Sequence, residues 1–370
     1  MSAAQGAFEP GFDALRGCAV FGVFAHHLHA YTGLSLPVLG VAGGLLGVQL
    51  FFLISGYLIV SSARREPPLG YLVRRAFRIF PAYWAVVATL TLSRGLLADA
   101  AEHPWLFLAN WWALTHAVPA ALLRFDVTTV AWTLTIELGW YLLVPLLVAI
   151  EPAGAAVRAR YWRALLVVSL LLSIAWVTAA QAGVLDAPFE AAIAAAGVAP
   201  VDAFMRFAFI VNALPAQLAF FVAGAWFATE PRVLDRIPDA ALAAAAVAFA
   251  LPAAGWNDLL GLHPAPLSGL GLLAFLVLVR RRLAVRVGKF AAGWCWLGRV
   301  SYPVYLVHVP LIIAVSAALA GSGWLVAAAA AVAVGITAQL LHHLIERPGI
   351  ALGRRIAARV QPNARTSPSV

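Results

Sequence analysis

The chain has 370 residues, 63% of them hydrophobic and only 11% charged, where a soluble globular domain carries about 25% charged residues. With a mean hydropathy of +0.89, this composition excludes an ordinary soluble domain and points to a polytopic membrane protein. The net charge of +9 does not argue for nucleic acid as a partner, because the basic residues are scattered among short loops rather than gathered in one patch.

In chain order, ten spans of about 17 to 25 residues are expected. The first covers Phe12 to Leu34. Its leader, MSAAQGAFEPGFDA, is acidic where a signal peptide would be basic, so a retained span is expected. The second covers Val38 to Ser62 and contains GVQLFFLISGYLIV, in which Ser55 and Gly56 mark close helix packing. A short basic segment follows with Arg64, Arg65, Arg74, Arg75 and Arg78, and Pro81 is expected in the first turn of a third span, Phe80 to Ala98. The loop from Asp99 to Thr129 is rich in aromatics (Trp105, Phe107, Trp111, Trp112), which suits an interfacial segment. The fourth span covers Val130 to Ile150. A basic turn with Arg158, Arg160 and Arg163 precedes the fifth, Ala164 to Gly183, and a loop from Val184 to Asp202 follows it. The remaining spans are Met205 to Thr229, Pro238 to Gly255, the short Pro266 to Val279, Val300 to Ala320 and Trp324 to Ile345. One transmembrane domain, residues 1–350, is therefore expected, with a basic cytoplasmic tail, residues 351–370, expected to be disordered.

Charge supports this count. With both termini cytoplasmic, every basic residue except Arg94, Arg124 and Arg206 falls on the inner side, as the positive-inside rule requires. One span more or fewer would reverse the bias over half the chain. Cys18 and Cys295 both fall near expected cytoplasmic span ends, where no disulfide is expected, and no Cys/His spacing suits a metal.

The first span holds the run LRGCAVFGVFAHHLHA, with Arg16, His26, His27 and His29. Ionisable groups inside a span are costly and mark a functional site by default. Arg16 and His27 are eleven residues apart, three helical turns plus roughly 20°, so they share a face about 16 Å apart along the axis. His26 lies about 80° off that line and His29 about 160° from His27. If one histidine shares a cavity with Arg16, it is His27; the other two suit helix contacts. Glu137, in AWTLTIELGWYLLVP, enters from outside to a depth of about 10 Å, and His27 lies about 22 Å from the inner end of its span. In a hydrocarbon core of about 30 Å these depths agree. His308, in SYPVYLVH, lies about 12 Å from the inner side. Three spans thus bring ionisable groups to one expected chamber, with Arg16 near its inner mouth. In YLVRRAFRIFPAYW, Arg75 and Arg78 share a helix face and make a fork for phosphate oxygens; the plainer role is a topology signal.

Together these segments resemble the membrane acyltransferase-3 family, bacterial O-acetyltransferases that decorate envelope and exported carbohydrates. The matching pieces are FDALRGCAVFGVFAHH, GVQLFFLISGYLIV, RRAFRIFPAYW with its Arg-x-x-Arg, AWTLTIELGWYLLVP, LGRVSYPVYLVHVPL and a late ERP, in order from Phe12 to about Pro348. The resemblance implies a ten-helix core in the bacterial cytoplasmic (inner) membrane. It implies transfer of an acyl group, acetyl foremost, from cytoplasmic acyl-CoA as co-substrate, without a metal, to a hydroxyl of a carbohydrate or glycolipid acceptor. By the same resemblance His27 is the general base or a transient acyl carrier and Glu137 orients it. Arg16, Arg75 and Arg78 bind the coenzyme A phosphates, and Ser301, Tyr302, Tyr305 and His308 line the chamber. Some members carry a fused extracytoplasmic domain, which is not expected here. The alternatives are a proton-coupled transporter or flippase of a lipid-linked or small anionic substrate using the same buried groups, and a scaffold with a degenerate site.

Overall fold

The computed structural model describes residues 10–250, 265–283, 288–319 and 322–360. The described residues are all-helical, without strands. Seven helical segments are long and apolar enough to cross a membrane: Leu39–Ala63, Pro68–Ser93, Trp132–Ala149, Ala155–Gln181, Ala203–Thr229, Ser301–Ala318 and Gly323–Arg359. The other three expected spans correspond to helices at Pro10–Thr32, Asp239–Ala250 and Ala265–Leu283, and the expected end of the seventh span, 251–255, lies outside the described residues.

Helix α1 (Pro10–Thr32) and helix α2 (Leu39–Ala63) form the centre of the molecule. Their backbones touch because both present glycine at the crossing. A Cβ on Gly43 would lie 2.5 Å from the Gly22 carbonyl oxygen, and one on Gly22 would lie 3.1 Å from the Gly43 oxygen. Small residues at such crossings permit close packing in lipid, where apolar burial drives little association. Gly56 makes the same kind of contact with the backbone of Phe221.

Helix α3 (Pro68–Ser93) begins twelve residues earlier than the expected third span. Pro68 suits a first helical turn, where its missing N–H leaves no bond unmade. The basic segment is thus the first half of α3, and Pro81 sits inside the helix instead of starting it. The aromatic loop folds into three short helices, α4 (Leu97–Glu102), α5 (Pro104–Trp111) and α6 (Pro119–Phe125), before α7 (Trp132–Ala149). Trp84 of α3 anchors this layer by donating Nε1–H to the Trp111 carbonyl at 2.8 Å.

Helix α8 (Ala155–Gln181) takes the basic turn into its first half. Next come α9 (Asp186–Ala195) and the sixth span, broken into α10 (Ala203–Val211) and α11 (Leu214–Thr229), where Pro215 cannot continue the ladder from α10. After α12 (Asp239–Ala250), α13 (Ala265–Leu283) and α14 (Lys289–Arg299), α15 (Ser301–Ala318) lies against α1 and α3.

The described residues end with α16 (Gly323–Leu341), a π-helical turn (His342–Glu346) and α17 (Arg347–Arg359). Disorder was expected from residue 351, but the chain is helical through Arg359, and residues 361–370 of the expected tail lie outside the described residues. The buried stripe of α17, Gly349, Gly353 and Ala357, has helical spacing but no large side chain, so hydropathy does not reveal it among Arg347, Arg354, Arg355 and Arg359. The stripe packs on Phe77 and Pro81 of α3. The 37-residue segment Gly323–Arg359 is about 55 Å long at 1.5 Å per residue, longer than a hydrocarbon core of about 30 Å.

Candidate active site

A cavity of about 130 Å³ opens among α1, α2, α3, α7 and α15. It is close in size to an engineered cavity of roughly 150 Å³ that accepts benzene, which gives room for a slender chain or a small acyl group. Its polar wall consists of Arg16, Ser55, Arg75, Arg78, Thr133, Glu137, Tyr141, Ser301, Tyr302 and Tyr305; Val48, Phe51, Phe52 and Leu134 are among its apolar residues. Five separate helices therefore bring Arg16, Glu137, Ser301, Tyr302 and Tyr305 to one space with the Arg75/Arg78 fork, whereas His27, expected to share that space with Arg16, is absent from its lining.

The three arginines are held differently. Arg16 reaches Asp13 one turn earlier at 3.2 Å. Arg78 pairs with Glu346, and its guanidinium lies 5.9 Å from the centre of the Tyr302 ring. Arg75 lies over Tyr71 and Tyr141 at 5.8 and 6.0 Å. Its hydrogen bond to Ser62 Oγ is long at 3.5 Å, and its buried Nε has no partner among the described residues. Guanidinium groups present a planar fork of N–H donors that matches phosphate geometry. Three on one cavity suit a polyanion.

On the same wall, Glu137 Oε1 accepts the Ser55 hydroxyl at 2.8 Å and the Tyr141 hydroxyl at 2.5 Å. Tyr141 is one helical turn from Glu137, so i,i+4 geometry on α7 makes that pair local. The Tyr302 hydroxyl donates to the Ile79 carbonyl at 2.8 Å, which ties α15 to α3. The Thr133 and Tyr305 hydroxyls lie 2.9 Å apart, and both reach the Val130 carbonyl. That carbonyl is set by the loop before α7, where Asp126 Oδ1 accepts the Thr128 N–H and O–H at 3.2 and 2.8 Å. Burial pushes the Asp126 carboxyl up to about 6.

The histidines form a separate unit next to the cavity. His308 is fully buried and is absent from the cavity wall. It therefore does not line the chamber as expected; its ring centre lies 5.8 Å from that of Tyr305, which does. Its Nε2 is 3.0 Å from His27 Nδ1. His308 Nδ1 faces the carbonyl oxygens of Tyr305 and Val304 at 2.8 and 3.2 Å, and carbonyls only accept. In the neutral pair His308 Nδ1 therefore carries the proton, and its Nε2 is an acceptor. His27 Nδ1 must then be the donor, shared between His308 and the Val23 carbonyl at 2.9 Å. By elimination His27 Nε2 is unprotonated, the form a base or nucleophile needs.

The side chain hydrogen-bonded to the His27 ring is His308, while Glu137, expected to orient His27, accepts the Ser55 and Tyr141 hydroxyls at Oε1. His26 and His29 have helix-contact roles, bonding through Nδ1 to the Gly40 and Leu34 carbonyls at 2.7 and 2.8 Å. Sequence reading passed over Thr133 and Tyr141, and it gave Ser55 only a packing role. Tyr141 carries a signal, its i,i+4 spacing from Glu137. Ser55 and Thr133 carry none, because their partners lie 82 and 172 residues away.

A family model described as an acyltransferase domain matches residues 9–343. The chain is similar to the O-acetyltransferase OatA of Staphylococcus aureus (strain NCTC 8325 / PS 47), 32% identical over 163 residues, covering 38% of this chain and 25% of that protein. It is also similar to nodulation protein 10 of Rhizobium leguminosarum bv. viciae, 34% identical over 174 residues, covering 40% of this chain and 47% of that protein. The chain thus matches less than half the length of either relative. No solved structure matches it.

Proposed function

The chain belongs to this acyltransferase family, and from that premise we propose that it is a multi-pass O-acyltransferase of a bacterial cytoplasmic membrane. It moves an acyl group, acetyl foremost, from acyl-CoA on the inner side to a hydroxyl of a carbohydrate or glycolipid. The similarity to a protein named an O-acetyltransferase supports the group transferred. The observation that carries the reading is the layout of the site: three arginines on a small cavity, with Tyr305 of its wall next to the His308–His27 pair.

Coenzyme A is a polyanion with its thioester at the end of a long thin arm. The phosphates sit at Arg16, Arg75 and Arg78, by charge-assisted hydrogen bonds. The arm runs past Tyr302 and Tyr305 toward the histidines, about 16 Å beyond Arg16 along α1. His27 Nε2 takes the proton of the acceptor hydroxyl as its oxygen attacks the thioester carbonyl carbon. The carbon–sulfur bond breaks, and the thiolate leaves with the electron pair. The imidazolium then returns its proton to the thiolate, so an ester and free coenzyme A are formed. His308 stabilises the imidazolium through its neutral Nε2, the position a carboxylate fills in a serine-protease triad. Glu137 with Ser55 and Tyr141 shapes the cavity and offsets the arginine charge.

The test is thiol release. Detergent-purified protein, acetyl-CoA and a panel of glucosides, galactosides and N-acetylglucosaminides should liberate free coenzyme A, and His27→Ala should cut turnover by about 10²–10⁴. Turnover intact in His27→Ala but lost in Arg16 and Glu137 variants would remove His27 from the chemistry. Absence of thiol release, with proton-driven movement of a glycolipid in vesicles, would favour the transporter.

A further inference from the structure

Glu346 is absent from the cavity wall, yet its carboxylate is one contact away from it. The residue is 1% exposed, and a buried carboxylate persists only when paired and hydrogen-bonded. Both its oxygens are taken. Oε1 binds the Arg78 guanidinium at Nη1, and Oε2 lies 2.5 Å from His342 Nδ1. Arg78 is one of the three arginines on the cavity.

The backbone is specialised at the same place. His342–Glu346 is a π-helical turn, a rare conformation found disproportionately at functional sites. Immediately beyond it, Gly349 and Gly353 seat α17 on Pro81 and Phe77 of α3, and Phe77 directly precedes Arg78. Glu346 is therefore delivered to Arg78 by two helices in backbone contact. Arg78 gives Glu346 one of its five N–H donors and keeps the others for an anion. An unrestrained arginine must lose rotamer freedom when it grips a phosphate; one already held does not. The carboxylate also moderates repulsion among three guanidinium groups around one low-dielectric space.

We propose that Glu346 is a positioning residue for the donor: it fixes Arg78 in the orientation that receives an acyl-CoA phosphate, and His342 holds Glu346 in turn. This rests on the acyl-CoA reading above. KM does not depend on how much of a preparation is folded, so it separates positioning from a merely structural role. KM for acetyl-CoA and kcat are measured by thiol release for wild type, Glu346→Gln, Arg78→Gln and the double variant. Loss of one charge-assisted contact predicts that Glu346→Gln raises KM about tenfold, with kcat changed less than about twofold. Arg78→Gln should raise KM at least as much, and the double variant no further than Arg78→Gln, because Glu346 acts through Arg78. Should Glu346→Gln fail to fold, Glu346→Asp, one methylene shorter, must itself raise KM. An unchanged KM in the folded variant, or additive effects in the double variant, overturns the assignment alone. A wild-type protein that releases no thiol overturns the acyl-CoA reading and this assignment with it.

Discussion

The His308–His27 hydrogen bond makes the most demanding prediction. Replacing His308 with Leu deletes the acceptor that His27 Nδ1 meets at 3.0 Å. The Val23 carbonyl at 2.9 Å remains, so the tautomer of His27 survives the change. What is lost is one hydrogen bond to a ring that becomes charged in the transition state. Hydrogen bonds to charged groups are worth about 1.5–3 kcal/mol, which corresponds to a fall in kcat of roughly ten- to two-hundredfold. Removing the base itself, as in His27→Ala, should cost about 10²–10⁴, so His308→Leu should be the milder variant. The same bond matters less in the ground state, where both rings are neutral, so KM for acetyl-CoA should move little. The assay is thiol release at saturating acetyl-CoA, on protein whose elution profile and thermal midpoint show that it is folded. His308→Gln, which keeps a polar group, should fall between wild type and His308→Leu. Folded His308→Leu with kcat within about twofold of wild type would refute the reasoning, because a bond worth less than about 0.5 kcal/mol does not stabilise an imidazolium.

Three further outcomes follow from the same structure. Arg75→Gln should raise KM for acetyl-CoA by about tenfold or more, since Arg75 has only a long bond to Ser62 to compete with a phosphate; an effect confined to protein abundance would return it to a topology signal. The Asp126 carboxyl, raised by burial to about 6, binds protons more tightly folded than unfolded. Its stabilising contribution is complete below the unfolded value near 3.8 and is lost as pH rises through about 6; thermal midpoints of wild type should fall over that window, and Asp126→Asn should flatten the fall. Gly56→Ala drives a Cβ into the Phe221 backbone and should lower stability by about 1–3 kcal/mol, whereas Gly335→Ala, with open space around it, should raise stability by up to about 1 kcal/mol; both are read from thermal midpoints in the same detergent.

Composition alone determined that this chain is a helical membrane protein, because 63% hydrophobic residues leave too little polar surface for water. That Arg75 and Arg78 share a helix face was also legible, since helical periodicity fixes which face a residue occupies before any packing is known, and both line the cavity with Arg16 and Glu137. Periodicity is local, however, and three decisions were not. The contact between His27 and His308 joins residues 281 positions apart, and depth along a span does not say which polar group of another span a histidine meets. The tail from residue 351 reads as charged and disordered until α3 supplies the surface that the glycine stripe of α17 covers. Glu346 itself reads as the end of a span; only the turn that swings it onto Arg78 makes it part of the cavity's chemistry. A helix face is a property of the chain, but which face meets which is settled by the packing of all the helices together.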